Sequence, residues 1–178
     1  YEVQVACNFD DRSSLSDEKV ALLKEKLTVL GVKYHNIPFE RQPLRSQNLT
    51  AYKMLKNLID SEKFDLIHCH TPVGGIITRL AAASSRKKNG TKVIYTAHGF
   101  HFFKGAPFIN WLIYFTAEKF CSYFTDTIIT INKEDFANAE NKLNANKVCY
   151  VPGVGVDTDF FAGTSGKRDE FLSEISAN

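Results

Sequence analysis

Several features that narrow the function of other proteins are missing from this chain of 178 residues. Its four cysteines include no CxxC pair, and three of them lie in apolar runs, a pattern that fits reduced thiols in the cytoplasm. No signal peptide appears, and no uninterrupted apolar stretch is long enough to span a membrane. An excess of one charge is also missing, since the net charge is only +2. The charge balance therefore predicts no nucleic-acid partner.

What the chain does contain is a regular alternation of strand-like and helix-like segments. Runs rich in branched and aromatic residues predict strands at 2–7, 32–39, 64–70, 92–98, 126–131 and 147–152. Helical spacing or composition predicts helices at 17–30, 49–60, 74–86, 108–123 and 133–143. The alternation predicts an α/β fold with a mainly parallel sheet and helices on both faces. Ligands of such folds bind beyond the carboxyl ends of the strands.

Four of the five histidines follow two of these predicted strands. His68 and His70 end one strand, while His98 ends the next and His101 follows it. If the strands are neighbours, their ends lie ~5 Å apart, and His70 and His98 share one crevice. These imidazoles can bind substrate or transfer protons, or they can be ordinary structural residues. A zinc site is the third possibility, although no carboxylate occupies either strand end and no HExxH motif is present.

The residues after His70 predict a helix start that can bind a polar ligand. Thr71 is suited to the N-cap and Pro72 to the first turn, while Gly74 and Gly75 allow close approach of a ligand. The free N–H groups of a helix N-terminus attract carboxylates, phosphates and polar sugars. The alternative is that the two glycines only permit tight packing of the helix against a strand.

Two further stretches carry surface chemistry. Segment 99–115 holds seven aromatic residues and one charge, Lys104, which indicates either a ligand with a lipid or aromatic group or packing in the core. The basic stretch at the end of the third predicted helix either closes that helix or binds lipid phosphate at a membrane surface. This stretch consists of Arg86, Lys87, Lys88 and Lys92.

Four segments of the chain together resemble a known family. They are "FDLIHCHTPVGGIITRLAA", "KVIYTAHGFHFFKGAPFINW", "TDTIITINKEDF" and "VPGVGVDTDFF". In this order they resemble the N-terminal domain of family 4 glycosyltransferases of capsular and exopolysaccharide synthesis in bacteria. The resemblance implies one half of a GT-B fold, in which two Rossmann-like domains enclose the active site. It also implies retaining transfer from a nucleotide-sugar donor, without metal or other cofactor, to a lipid-linked saccharide.

The resemblance assigns roles to individual residues. His98 matches the catalytic histidine that contacts the transferred sugar. His70, Thr71, Gly74 and Gly75 match one part of the acceptor-binding rim, and Gly99, His101 and Lys104 match another. Gly155 and Asp157 match the interdomain hinge.

The chain also departs from the family pattern. It opens at what resembles the second strand, so the resemblance predicts an unpaired gap in the sheet. Residues 1–152 are expected to form the Rossmann-like domain, and 153–178 a linker toward a nucleotide-sugar-binding domain. The chain alone is expected to be inactive, and the whole enzyme to be cytoplasmic with peripheral contact at the inner face of the membrane. The alternatives are a non-catalytic module that binds a glycolipid or protein, and a metal-dependent hydrolase.

Overall fold

The computed structural model describes residues 2–11 and 16–153, which form alternating strands and helices. The strands are β1 (Gln4–Cys7), β2 (Lys33–Asn36), β3 (Leu66–His70), β4 (Lys92–Ala97), β5 (Thr127–Thr130) and β6 (Lys147–Tyr150). The helices are α1 (Asp17–Val29), α2 (Gln47–Glu62), α3 (Pro72–Asn89), α4 (Phe108–Asn110), α5 (Thr116–Ser122) and α6 (Lys133–Lys142). The π-helical segment Trp111–Phe115 joins α4 to α5. We call the continuous helix over 108–122 the aromatic helix.

All strand pairs are parallel, which confirms the predicted α/β class. β3, β4, β5 and β6 form one sheet in chain order, and β1 pairs with β2 in a second sheet. Within the described residues no hydrogen bond joins β1 to β3, and a cavity of about 140 Å³ separates them. The cavity is lined by Gln4, Val5 and Ala6 on one side and by Leu66, Ile67 and His68 on the other. This break is the unpaired gap that the family resemblance predicts.

The core lies on the face of the sheet that α3 and the aromatic helix cover. Val93, Tyr95 and Ala97 alternate along β4, so their side chains point to this face, and all three are buried. Val93 packs in a cluster with residues of α2 and α3, and Tyr95 and Ala97 in a cluster bordered by the aromatic helix. Phe100 and Phe102 belong to the second cluster as well. The core alternative is therefore correct for these two aromatic residues, whereas Phe103 remains exposed.

Three further predictions concern the interdomain hinge, the state of the cysteines and membrane-spanning segments. The hinge residues Gly155 and Asp157 lie outside the described residues, as does the predicted linker except for Gly153. All four cysteines are free. In the described part of the chain, no helix is both long and apolar enough to cross a membrane.

The carboxylate of Asp126 joins α3 to the amino end of the sheet. It accepts hydrogen bonds from Nε and Nη2 of Arg86 at 2.9 and 3.0 Å, and from the N–H of Val93 at 2.8 Å. The pKa of Asp126 is lowered, first by the Arg86 hydrogen bond and then by the Val93 N–H, against the opposing effect of burial. Its charged form thus stabilises the fold.

We expect Asp126→Asn to lower the free energy of unfolding by about 2 kcal/mol, because charge-assisted bonds to a half-buried group are lost. Since the folded pKa lies below the ordinary value, this contribution is present above about pH 4 and lost as the pH falls through the folded pKa. Urea unfolding across this range measures both effects. Asp60→Asn is the control, because Asp60 forms an exposed pair with Lys56 that is worth only about 0.5 kcal/mol. Equal losses for the two variants would contradict this assignment.

Candidate functional site

Two imidazoles contact each other where β3 and β4 end. The parallel register places His70 opposite Thr96, so His98 lies two residues further along, just beyond the strand. Nδ1 of His70 is 3.2 Å from Nε2 of His98. Such a hydrogen bond requires one nitrogen to donate its N–H and the other to accept through its lone pair, so the proton position on one ring fixes the role of the other. The structure therefore brings together the two histidines that were expected to share a crevice.

A third imidazole, that of His68, lies beside this pair, while the fourth, that of His101, lies apart from it. The His68 ring centroid is 4.4 Å from that of His70, and Nε2 of His68 is 2.8 Å from Oγ1 of Thr96. His101 instead stacks on Tyr114 with 4.6 Å between ring centroids. We call His68, His70 and His98, at the carboxyl ends of β3 and β4, the histidine row. His101 lies apart from it on the adjoining loop.

The two members of this row that lie on β3, His68 and His70, have lowered pKa values although both side chains are exposed. Desolvation lowers the pKa of His68, and the neighbouring His98 lowers it further. The pKa of His70 is lowered for the same reason, with additional effects from His68 and His98. At neutral pH both side chains are therefore neutral, and each offers one N–H donor and one lone-pair acceptor.

The first turn of α3 lies beside the histidine row, and the two glycines in this turn have a role in packing. A Cβ on Gly75 would lie 2.6 Å from the buried ring of Tyr95, and the Gly75 N–H already donates to the Thr71 carbonyl at 2.8 Å. These contacts favour the packing alternative for Gly75. A Cβ on Gly74 would lie 2.9 Å from Oγ1 of Thr71, so Gly74 leaves room for that hydroxyl. Thr71 is exposed, makes no side-chain capping bond and has a φ of 64°, a strained conformation for a β-branched residue.

A buried ion pair beneath the helix start was not predicted from the sequence. Arg79 donates from Nη1 to Glu118 at 2.8 Å and from Nε to the Gly75 carbonyl at 3.0 Å. Its guanidinium carbon lies 4.1 Å from the centroid of the Tyr95 ring, and Tyr95 donates to the other Glu118 oxygen at 3.2 Å. This network fixes the first turns of α3 against β4 and the aromatic helix. The signal available in the sequence was Glu118, the one acidic residue of the aromatic helix.

The loop after β4 is held by two acidic residues of α6 that sequence reasoning also missed. The buried carboxylate of Asp135 accepts the Phe100 N–H at 3.0 Å, and Glu134 accepts the backbone N–H of Lys104. Asn132 caps α6 by accepting the Asp135 N–H. An Asn followed by an acid three residues later resembles a capping-box pattern and could have indicated this helix start. Lys104 itself is exposed, and Gly105 has a φ of 93°, which suits the sharp turn that follows.

The remaining expectations for the site concern metal binding. Among the described residues, no group of three His, Cys, Asp or Glu side chains has a geometry that could hold a metal ion. The described nitrogen contacts of the strand-end histidines go to Thr96 and to each other.

Comparison with known proteins decides the family. The family model for Glycosyltransferase Family 4 matches residues 1–160. The chain belongs to glycosyltransferase family 4. It is 42% identical, over 98% of its length, to EpsD of Bacillus subtilis (strain 168), whose name describes it as a glycosyltransferase. It is also 30% identical, over 71% of its length, to the UDP-Gal:alpha-D-GlcNAc-diphosphoundecaprenol alpha-1,3-galactosyltransferase of Escherichia coli.

This family 4 chain spans only part of those relatives. It covers 42% of the length of the Bacillus protein and 34% of that of the Escherichia coli enzyme. The family accounts for the observed Rossmann-like half and makes the chain part of a sugar-transferring class of enzymes. The histidine row lies at the carboxyl edge of the sheet in this half.

The lowered pKa values of His68 and His70 predict a pH-dependent stability. The unfolded chain takes up these protons near pH 6.5, above the folded values, so the free energy of unfolding should decrease as the pH falls below about 6.5. Urea unfolding from about pH 7.5 to about pH 5.5 measures this decrease. The variant His68→Asn/His70→Asn should show a shallower slope. A slope identical to that of the natural sequence would mean that these imidazoles titrate normally.

Proposed function

We propose that the chain is the acceptor-side half of a retaining glycosyltransferase. The enzyme would move a sugar from a nucleotide-sugar donor to a lipid-linked saccharide in the synthesis of a bacterial surface polysaccharide. No metal or other cofactor takes part in this proposal. The observation that carries it is the hydrogen-bonded pair of His70 and His98 at the carboxyl edge of a family 4 domain.

The nitrogens of this pair suit recognition of a sugar hydroxyl. Nε2 of His98 is engaged with His70, so Nδ1 is the nitrogen that can meet a substrate. If His70 donates within the pair, Nδ1 of His98 carries a proton and donates it to a sugar oxygen. If His98 donates, Nδ1 accepts a sugar hydroxyl instead. His70 thereby acts as a positioning residue, because it fixes which nitrogen of His98 holds the proton.

The neutral state of His68 and His70 suits the reaction as well. Breaking the bond between the anomeric carbon and the donor diphosphate leaves positive charge on the sugar ring, as in the oxocarbenium-like transition states of glycoside hydrolysis. An imidazolium at this place would repel that charge, whereas a neutral imidazole adjacent to it does not. Partial desolvation and the neighbouring imidazoles lower the pKa values of His68 and His70, so these two rings place no positive charge beside the developing one.

The acceptor would meet the rim formed by the start of α3 and the loop after β4. Thr71 offers an exposed hydroxyl beside Gly74, and Lys104 offers an exposed ammonium group that can pair with a diphosphate. His101 presents an exposed ring stacked on Tyr114, which suits contact with a sugar face. Gly75 supports this rim indirectly, because the absence of a side chain lets α3 pack against Tyr95. Gly99 has open space around its α-carbon, which leaves room for a ligand beside His98.

The first candidates for the two substrates come from the Escherichia coli relative. The name of that enzyme specifies a UDP-sugar as donor and a diphosphoundecaprenol-linked sugar as acceptor. Substrates of these two classes are therefore the ones to assay first with the present protein.

The present domain would form one side of the active-site cleft. A nucleotide-sugar-binding domain, connected through Gly155 and Asp157, would form the other side. Sugar transfer is therefore expected from the protein as expressed from its own gene and not from residues 1–178 alone.

The stereochemistry of the product tests whether the transfer retains the anomeric configuration of the donor sugar. It can be read from the anomeric proton coupling in the NMR spectrum of the product. A product of inverted configuration would refute the retaining mechanism.

We expect His98→Ala, in the protein as expressed from its own gene, to reduce kcat by about 10²–10⁴-fold, the range of a positioned side chain that exchanges protons or hydrogen bonds with the substrate. The assay follows transfer of labelled sugar from a nucleotide-sugar to lipid extracted from the same organism. His35→Ala is the matched control, because His35 lies on β2, bonds Gln4 and faces the cavity between β1 and β3 without contacting His98. Near-normal turnover of His98→Ala would overturn the assignment of His98.

A further inference from the structure

The hydroxyl of Thr96 lies inside the sheet, next to the histidine row. Thr96 is paired with His70 in the register of β3 and β4, and it is only 7% exposed. A hydroxyl that is shielded from water requires a hydrogen-bond partner. Among the described residues this partner is His68, whose Nε2 lies 2.8 Å from Oγ1 of Thr96. The hydroxyl therefore fixes the position of the His68 ring relative to β4.

The three rings of the histidine row follow one another toward the carboxyl edge of the sheet. The ring centroid of His70 lies 4.4 Å from that of His68 and 5.4 Å from that of His98. Successive rings are tilted by nearly the same angle, 36° and then 35°. Since His68 and His70 are two residues apart on β3, their side chains stand on the same face of the strand. The place of the His68 ring thus limits where the His70 ring can lie.

His70 depends on this neighbour because its own polar contact is weak. The bond between Nδ1 of His70 and Nε2 of His98 is 3.2 Å long and lies at an exposed position. Water competes for both nitrogens there, so the bond alone contributes little to holding the two rings together. The His68 ring supplies a packing surface against the His70 ring. Without that surface His70 can adopt other side-chain rotamers, in which it no longer reaches His98.

The His68 ring itself has room to move. It lines the cavity of about 140 Å³ between β1 and β3, so space for another ring position lies beside it. Within the part of the chain that the structure describes, the hydrogen bond to Thr96 is what keeps the ring over β4. Burial of Thr96 keeps water away from its hydroxyl, so this bond is harder to replace than the exposed one between His70 and His98. The more buried bond thus stabilises the more exposed one through the two adjacent rings.

We propose that Thr96 and His68 are positioning residues for the sugar transfer proposed above. The Thr96 hydroxyl holds the His68 ring, and this ring keeps His70 in the place where it bonds His98. The proposal rests on the proposed function, because His98 is the residue taken to contact the transferred sugar. A misplaced His98 is felt in the transition state, where its orientation decides the strength of its contact with the sugar. Loss of the Thr96 hydroxyl should therefore lower kcat and leave KM nearly unchanged.

The first test measures kcat and KM for variants of the protein as expressed from its own gene. Thr96→Val removes the hydroxyl at almost unchanged volume, and we expect it to reduce kcat about ten-fold while KM changes by less than about two-fold. Thr96→Ser restores the hydroxyl and should recover most of this loss. His68→Phe keeps a ring but not the bond to Thr96, so it should resemble Thr96→Val. Thr130→Val is the matched control, because Thr130 is also buried in a strand but its hydroxyl bonds the Cys149 carbonyl on the other face of the sheet.

The second test needs no substrate and reads the proton positions of the histidine row. In protein with isotopically labelled histidines, long-range proton–nitrogen correlation spectra distinguish a ring nitrogen that carries a proton from one that offers its lone pair. We expect Thr96→Val to change the nitrogen shifts of His70 and His98, because their mutual bond gives way to bonds with water. Thr130→Val should leave these shifts as they are in the natural protein.

Unchanged kcat in Thr96→Val, or an equal loss in Thr130→Val, would overturn the proposal. So would a loss of kcat without any change in the His70 and His98 spectra, because the hydroxyl would then act on stability alone. Urea unfolding accompanies each variant, and His68→Phe, at an exposed position, supplies the same tests if Thr96→Val does not fold. If even the natural protein transfers no sugar, the proposed function fails, while the spectra still decide whether Thr96 positions the pair.

Discussion

The backbone hydrogen bonds between β3 and β4 determine where every part of the candidate site can lie. Their parallel register sets His70 opposite Thr96 and so brings the residue just beyond β4, His98, to the His70 ring. The same register brings His68 within 2.8 Å of the Thr96 hydroxyl. A shift of one residue would turn His70 to the other face of the sheet, because side chains alternate along a strand. Strand pairing, not any loop, thus positions the histidine row.

The buried Arg79–Glu118 pair connects this row to the helical layer. It joins α3 to the aromatic helix, and Tyr95 of β4 contacts both charged groups. A paired and hydrogen-bonded charge is tolerated in the interior, whereas either partner alone would be strongly destabilising. The pair fixes the inner side of the aromatic helix, whereas Leu112 and Ile113 on its outer side are exposed.

The layout of strands and helices could be predicted from the sequence, because hydrophobic periodicity reports local structure directly. The meeting of His70 and His98 could also be predicted, since parallel neighbours end at the same edge of a sheet. The roles of Glu118 and Asp135 could not, because their partners Arg79 and Phe100 lie 39 and 35 residues away in the chain. Burial of Phe100 and Phe102 was undecided for the same reason: composition does not tell which side of a loop faces the core.

The central claim is that His70 and His98 work as one unit on the sugar. A double-mutant cycle on kcat/KM tests it most directly, with His70→Ala, His98→Ala and the double variant made in the protein as expressed from its own gene. The account predicts that His70→Ala reduces kcat/KM when His98 is present and has little further effect when His98 is alanine. It also predicts that His70→Asn retains more activity than His70→Ala, since an amide can replace Nδ1 as a hydrogen-bond partner. Additive losses from the two alanine substitutions would contradict the account.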